Sequence, residues 1–366
     1  TRLKPSHHLV QSVGLITVHP HHRAGAEAVD VQTGQTITMP MHQTVHIEVP
    51  RFVQCGAALP RRIKSIQKAL PLAAAVHLAH DQSTMELRAH AKINLHLRSR
   101  QRRADGYHDL ATVFCHLDLS EPVWLTLQPR EIILESTTGL AVDEDLAGRA
   151  ALELRRVLGN PSLGCAISIE KRIPEGGGLG GGSADAAAVL RGLQQLWKAP
   201  WPLIHQVAVG LGADVPFLLH GGLADARGIG EQLTPLSTPC PPLDCLLLFP
   251  GVPVSTPQAY GWLDADGLDA DEGGAAQHEA LIKALRAGDT QAVVASLYNA
   301  FDDPVRRRVD AVDRAMHEAA AVAGKVMLCG SGSTLAVFDA TDKAQHALAR
   351  WNPTPARLSG MAKPIR

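Results

Sequence analysis

Six of the seven residues from 176 to 182 are glycine. Ordering glycine costs more backbone entropy than ordering any other residue, so a run this dense needs a reason. It lies in Pro174-Glu175-Gly176-Gly177-Gly178-Leu179-Gly180-Gly181-Gly182-Ser183-Ala184-Asp185. Just before it, Cys165 to Ile169 alternates apolar with small or polar residues, as a strand does. Just after it, Ser183 is a suitable N-cap. Ala186, Val189, Leu190, Leu193, Leu196 and Trp197 then fall on one face at helical spacing. The unit reads strand, glycine loop, helix. Backbone amides and the dipole at such a helix start bind phosphate, and a Cβ in the loop would hold the phosphates away. On this reading Gly180→Val weakens nucleotide binding most.

Three other readings of the glycines compete. Gly176, Gly178 and Gly181 satisfy GxGxxG, but a dinucleotide fold wants an acidic residue closing a second strand about 20 residues on. Here that place holds Lys198-Ala199-Pro200-Trp201-Pro202, which is no strand. A Walker A loop is excluded because no lysine follows Gly182. A flexible linker would carry more Ser and Thr, and no amphipathic helix would follow it directly.

The 366 residues are enough for two or three domains, with 45% hydrophobic and 19% charged residues. A net charge of −1 provides no basic field for nucleic acid or anionic membranes. The six cysteines (Cys55, Cys115, Cys165, Cys240, Cys245 and Cys329) form no CxxC pair. That spacing speaks against a zinc site or a disulfide framework, and for a reducing compartment. No apolar run reaches the length of a membrane helix, and Val13 to Val18 is too short for a signal peptide core. The expected location is the cytoplasm.

Residues 1–84 hold nine of the 18 histidines and one aromatic residue, Phe52. So few large side chains can hardly build a core, and the segment reads as a loose or non-native extension. Thr33 to Pro40, Val49 to Phe52 and Gly56 to Leu59 resemble pieces of bacterial histone-like DNA-binding proteins. Their spacing is too long and the arm's basic residues are missing, so nucleic-acid binding is not the favoured reading. Met85 is taken as the start of the catalytic part, and a protein beginning there is expected to fold and keep its activity. From Met85 on, strands are expected at 86–97, 122–128, 131–135, 165–170, 244–249 and 334–338. Helices are expected at 146–157, 184–197, 203–211, 277–287, 291–298 and 307–322. Gly267 to Gln277 reads as an acidic, glycine-rich surface loop. The fold class is α+β, with mixed strands and helices.

Three further segments carry chemistry. In Ala91-Lys92-Ile93-Asn94-Leu95, Lys92 and Asn94 share a strand face opposite Leu87, Ala89, Ala91 and Ile93. That face is either solvated or aimed at a phosphate or a carboxylate. In Gly212-Ala213-Asp214-Val215-Pro216, Asp214 is either a helix cap or a functional acid. Gly330-Ser331-Gly332-Ser333-Thr334 is either a hairpin turn or a ligand loop.

Taken in order, these segments resemble the GHMP small-molecule kinases. Arg102-Arg103-Ala104-Asp105-Gly106-Tyr107-His108 and Phe249-Pro250-Gly251-Val252-Pro253-Val254-Ser255-Thr256-Pro257 place the resemblance in the branch whose substrate carries a cytidine diphosphate head group. It covers about residues 85–340. Where that branch has a proline, this chain has His90. The resemblance implies an ATP-binding domain at 85–236 and a C-terminal domain at 237–366, with the active site in the cleft between them. It implies ATP and Mg²⁺, with the phosphates held by Pro174, Gly176, Gly177, Gly178, Leu179, Gly180, Gly181, Gly182 and Ser183. Asp214 becomes the general base, Lys92 its ion partner, and Ser183 the protein ligand to Mg²⁺. Asn94, Tyr107, His108 and Tyr260 become substrate contacts, with the two tyrosines stacking on the cytosine. Asp185 is expected to serve only as a helix-start residue. Other readings are a homoserine- or mevalonate-type kinase and a non-enzymatic nucleotide- or DNA-binding regulator.

Overall fold

The computed structural model describes residues 26–29, 36–39, 84–267 and 272–359. Most of what the sequence suggests about residues 1–84 lies outside these. Two short strands there, β1 (Ala26–Val29) and β2 (Thr36–Met39), pair antiparallel.

From residue 84 on, the architecture is built around one long hairpin. β3 (Thr84–Arg102) and β4 (His108–Pro129) run antiparallel, with register shifts between His90 and Lys92, Asn94 and His96, and Ser99 and Arg102. Such irregularities let long strands bend and twist around a core. The free edge of β4 is shared by three partners. Residues 112–115 pair with β7 (Leu223–Arg227), which carries β8 (Gln232–Pro235). His116 and Leu117 pair with β13 (Thr354–Ser359), and 123–129 pair with β6 (Leu163–Ile169). β6 holds β5 (Ile132–Ser136) in parallel. β13 continues the sheet to β9 (Asp244–Leu248), β12 (Leu335–Phe338) and β11 (Lys325–Leu328), and β10 (Tyr298–Asn299) adds to β3. The result is one eleven-stranded mixed sheet.

Helices cover this sheet. α1 (Leu146–Leu158) is capped by the Asp145 carboxylate, which accepts from Ala147 N at 2.8 Å, and it stops at left-handed Gly159. α2 (Gly181–Leu196) buries Ala184, Ala186 to Leu190 and Leu193, the face the periodicity predicts. A Cβ on Gly192 would stand 2.3 Å from Leu125 and 2.7 Å from Leu87, so glycine is what lets α2 lie directly on β3 and β4. α3 (Trp201–Leu211) and α4 (Asp214–His220) follow. The C-terminal half adds α5 (Thr256–Ala265), α6 (Glu272–Ala287), α7 (Thr290–Ala295), α8 (Asp302–Arg306), α9 (Asp310–Ala320) and α10 (Asp342–Ala347). Among the described residues no helix is long and apolar enough to cross a membrane.

The structure corrects several expectations. Residues 108–121 are strand, because β4 is buried on both faces over its middle and so lacks the alternation that marks a half-exposed strand. Glu272 to Gln277 are helical rather than loop, the helix being anchored by buried His278. The helix expected at 291–298 ends at Ala295. The Ser296 hydroxyl donates back to Ala292 O, and Tyr298–Asn299 turn into β10. β13 contains Pro355, a residue that argues against a strand in sequence, yet Ala356 and Leu358 still alternate into the core.

Buried polar groups couple this core to pH. His96 is fully buried between the carbonyls of Ala111 (3.2 Å) and Gly274 (2.7 Å), and burial lowers its pKa to about 4. His116 is 1% exposed, both ring nitrogens lack a partner, and burial lowers its pKa to about 3. In the unfolded chain both titrate near 6.5. Between that value and their folded values the unfolded state holds more protons, so stability falls as pH falls. We expect His116→Leu to flatten the urea-denaturation stability slope between pH 6 and 4 by up to about 1.4 kcal/mol per pH unit. An unchanged slope would show that His116 is not held neutral.

Candidate active site

The four sequence segments meet at one ammonium group. Lys92 is buried on β3, and so are its strand-face neighbours Asn94 and His96, so this face is not solvated. Lys92 Nζ donates to Asn94 Oδ1 at 2.9 Å and pairs with Asp214 Oδ2 at 3.2 Å. It lies 5.5 Å over the Phe114 ring. Asn94 Nδ2 in turn donates to Thr112 Oγ1 (2.8 Å), whose hydroxyl donates to His96 O (2.6 Å). Asn94 is thereby fixed with its carbonyl toward the lysine.

The glycine loop runs past the same residue. Lys92 N donates to Leu179 O at 2.9 Å, which fastens the loop to β3. The Leu179 side chain is fully buried in the core, so it anchors the loop and leaves only backbone to face a ligand. The structure gives the glycines a reason beyond phosphate approach. At Gly178 (φ +78°) a Cβ would stand 1.8 Å from Cys329 O, so the β11–β12 turn occupies that place. At Gly180 (φ +73°) a Cβ would press on Lys92 Cγ (3.1 Å) and Cε (3.2 Å). Thr334 N donates to Gly177 O at 3.3 Å. Gly330-Ser331-Gly332 is therefore both the turn of an antiparallel hairpin and a wall of the loop. Asn299 Nδ2 holds it, donating to Leu328 O and Gly330 O at 2.8 Å each. Nothing in the sequence around Asn299 marks that role.

Ser183 is not the N-cap. α2 begins at Gly181 with Gly180 as its cap, because left-handed glycine turns the chain into the helix earlier than a serine cap would. Ser183 thus sits in the first turn beside Gly181 and Gly182, whose amides have no acceptor within the helix. Pro174 and Gly176 lie at the loop's start, where a Cβ on Gly176 would stand 3.3 Å from Pro253. Asp214 opens α4 and is partly exposed, with no side-chain cap bond on that helix.

Asp185 does more than start a helix. With Glu121 and Lys171 it forms a buried ion cluster, in which Lys171 Nζ donates to Glu121 (2.5 Å) and to Asp185 (2.6 Å). Burial and the adjacent Glu121 push the Asp185 carboxyl up. Glu121 also accepts from Arg172 N (2.8 Å) and Ile173 N (2.9 Å), fixing the chain's entry into the glycine loop. Lys171 binds Asp185 Oδ2, while Oδ1 is buried without a hydrogen-bond partner. Among the described residues there is no group of three or more His, Cys, Asp or Glu suited to hold a metal ion.

Tyr107 and His108 belong to the turn and strand that follow β3, and they diverge. Tyr107 is 59% exposed. His108 is buried, donates from Nε2 to Asp264 Oδ1 at 2.6 Å, and stacks on Tyr260 with ring centroids 4.8 Å apart. Tyr260 meets Phe301 edge-on at 4.9 Å. Burial, and the Asp214 charge after it, raise the Tyr260 hydroxyl's pKa. Tyr260 and His108 are thus brought together near Asp214, with Tyr107 at the surface. His90, standing where a proline was expected, faces Leu117 O through Nδ1 at 3.1 Å and stacks on His116.

Curated relatives of this chain share one name. The family model for the GHMP kinases N terminal domain matches residues 145–222. A 4-diphosphocytidyl-2-C-methyl-D-erythritol kinase of Symbiobacterium thermophilum is 38% identical over 275 residues, covering 74% of this chain and 96% of that protein. The chain belongs to the 4-diphosphocytidyl-2-C-methyl-D-erythritol kinase family. A Xylella fastidiosa protein of that name is 42% identical over 268 residues, 72% of this chain and 84% of the relative. A crystal structure of 4-(cytidine 5'-diphospho)-2C-methyl-D-erythritol kinase aligns with a TM-score of 0.63 at 37% identity, covering 76% of this chain and all of that one. Homoserine kinase from Cytophaga hutchinsonii (TM-score 0.58, 17% identity, 76% of this chain and 96% of that one) shares the fold.

The packing at Gly180 makes a specific forecast. Gly180→Ala is expected to cost about 1–2 kcal/mol of stability through its left-handed backbone. It should also lower kcat on the order of tenfold to a hundredfold by displacing Lys92, measured by denaturation and steady-state kinetics. A loss confined to nucleotide affinity would instead favour the simpler view that a Cβ here only blocks phosphate.

Proposed function

We propose that this chain phosphorylates the 2-hydroxyl of 4-diphosphocytidyl-2-C-methyl-D-erythritol with ATP, and that Lys92 and Asp214 carry the chemistry. The observation that carries this reading is the Lys92 ammonium, bonded to Asp214 and Asn94 while the glycine loop is fastened to its own backbone amide. Phosphoryl transfer needs positioning and charge stabilisation above all. Asp214 is partly exposed on the first turn of α4, where it can accept the substrate hydroxyl's proton. Lys92 offsets the negative charge that gathers as the oxygen attacks, and Asn94 fixes the direction of that ammonium.

The triphosphate suits the cradle from Gly176 to Ser183, where the glycines carry no side chain, Leu179 is buried in the core, and the first amides of α2 lack acceptors. Mg²⁺, when bound with the nucleotide, would neutralise phosphate charge, and the Ser183 hydroxyl is the residue that would help hold it; Mg²⁺ ordinarily keeps water and phosphate as its main ligands. The exposed Tyr107 ring and the Tyr260–His108 stack offer flat surfaces for a cytosine, with Asp264 orienting His108. We assign an ATP-binding lobe to 85–236 and a C-terminal lobe to 237–366, with the site in a cleft between them; the close approach of Gly176 to Pro253 and of Gly178 to Cys329 supports this reading. The five described cysteines are free thiols, which suits a cytoplasmic setting.

The test is ADP release with purified protein and a panel of 4-diphosphocytidyl-2-C-methyl-D-erythritol, homoserine and mevalonate. Turnover is expected with the first alone, and Asp214→Asn should reduce kcat by roughly 10²–10⁴-fold with binding retained. Turnover on homoserine or mevalonate, or a loss below tenfold in the variant, would overturn the reading.

A further inference from the structure

Two thiols that the kinase site does not use touch each other. Cys115 is fully buried in the middle of β4, and Cys240 is half-buried in the segment 236–243 between β8 and β9; their sulfurs are 3.2 Å apart. A disulfide has its sulfurs about 2.0 Å apart, so an approach of about 1.2 Å would join them. Neither thiol is there through loop mobility. Cys115 is fixed by ladder partners on both sides, Ile93 on β3 and Leu223 on β7. Cys240 lies in Pro239-Cys240-Pro241-Pro242, where three prolines fix the backbone. The segment is tied at both ends, Leu236 N donating to Leu223 O at 2.9 Å and Leu358 N to Leu243 O at 2.9 Å.

We propose that Cys115 and Cys240 are a redox-modification site, oxidised to an intramolecular disulfide by a low-molecular-weight disulfide such as oxidised glutathione and reduced again by thiols. Exposure and charge give the two cysteines different parts. Cys240 is the one solvent reaches, and its contact with Cys115 holds its pKa below the usual thiol value while that of Cys115 is pushed up. Cys240 therefore attacks as thiolate. A bond forms between Cys240 Sγ and one glutathione sulfur, the glutathione disulfide bond breaks, and the departing glutathione thiolate takes up a proton. Cys115 then gives up its proton and attacks Cys240 Sγ, expelling the second glutathione thiolate, which is protonated in turn. Two protein thiols and one glutathione disulfide become one protein disulfide and two glutathiones, so two electrons pass from protein to glutathione. Cys245 and Cys329 are buried, and burial raises the Cys245 thiol to about 12, so neither competes as the attacking group. The bond would pin the segment that leads into β9 onto β4, between Phe114, which lies under Lys92, and His116, which pairs with Lys92 across the ladder.

The test treats the reduced full-length protein, Cys115→Ser and Cys240→Ser with oxidised glutathione, followed by intact mass and non-reducing peptide mapping. The wild type is expected to lose the mass of two hydrogens, retain no glutathione, and yield one peptide pair joined through Cys115 and Cys240. Dithiothreitol should reverse all of this. Cys115→Ser, lacking the resolving thiol, should keep one glutathione on Cys240, and Cys240→Ser should form neither product. The proposal is overturned if the wild type keeps glutathione on Cys240, joins a different pair, or stays reduced. The wild-type and Cys240→Ser results decide the matter even if serine at the buried position 115 prevents folding.

Discussion

One buried ammonium organises this site. A lysine taken out of water is tolerated only when its charge is paired and its protons are bonded. Lys92 meets that demand with Asp214 on α4 and Asn94 two residues along its own strand. Every other chemical element is placed by reference to it. The glycine loop is bonded to its amide, Gly180 packs on its stem, and the Gly330 turn comes close to its Nζ. Strand, loop and α4 are far apart in sequence, and a single charge requires all three to close together.

The glycine loop shows how packing and function press on the same residues. Its left-handed glycines follow the path that the Cys329 carbonyl and the Lys92 stem leave open, and that path ends in a helix whose first amides are unpaired. Behind the loop, Glu121 holds two of the backbone amides that lead into it and shares Lys171 with Asp185. A ligand would therefore meet a cradle fixed from behind by an ion cluster and from the side by a hairpin, with little ordering left to do on binding.

What the sequence discloses and what it hides follow from range. The strand–glycine–helix unit and the shared face of Lys92 and Asn94 are local patterns, and both are legible because period and composition act over a few residues. Asp214 is legible only through its resemblance, since alone it reads as an ordinary helix-start acid. Asn299, Asp264, Glu121 and Lys171 are invisible in sequence because their partners lie tens to hundreds of positions away and no periodicity ties them. The first part of β4, residues 108–121, is hidden for a different reason: buried on both faces over much of its length, it loses the alternation that betrays a strand. The short elements of the C-terminal half are held by sheet and core contacts rather than by their own propensities. Ser183 reads as a cap in the sequence because a good capping residue stands beside a glycine better suited to the turn.

A double-mutant cycle measures directly whether Lys92 and Asp214 act as a single unit. With kcat determined for wild type, Lys92→Met, Asp214→Asn and the double variant, the double should lose little more than the more damaging single change, because each change alone already breaks the unit. If the two losses multiply, the residues act independently and the ion pair is not what the site is built on.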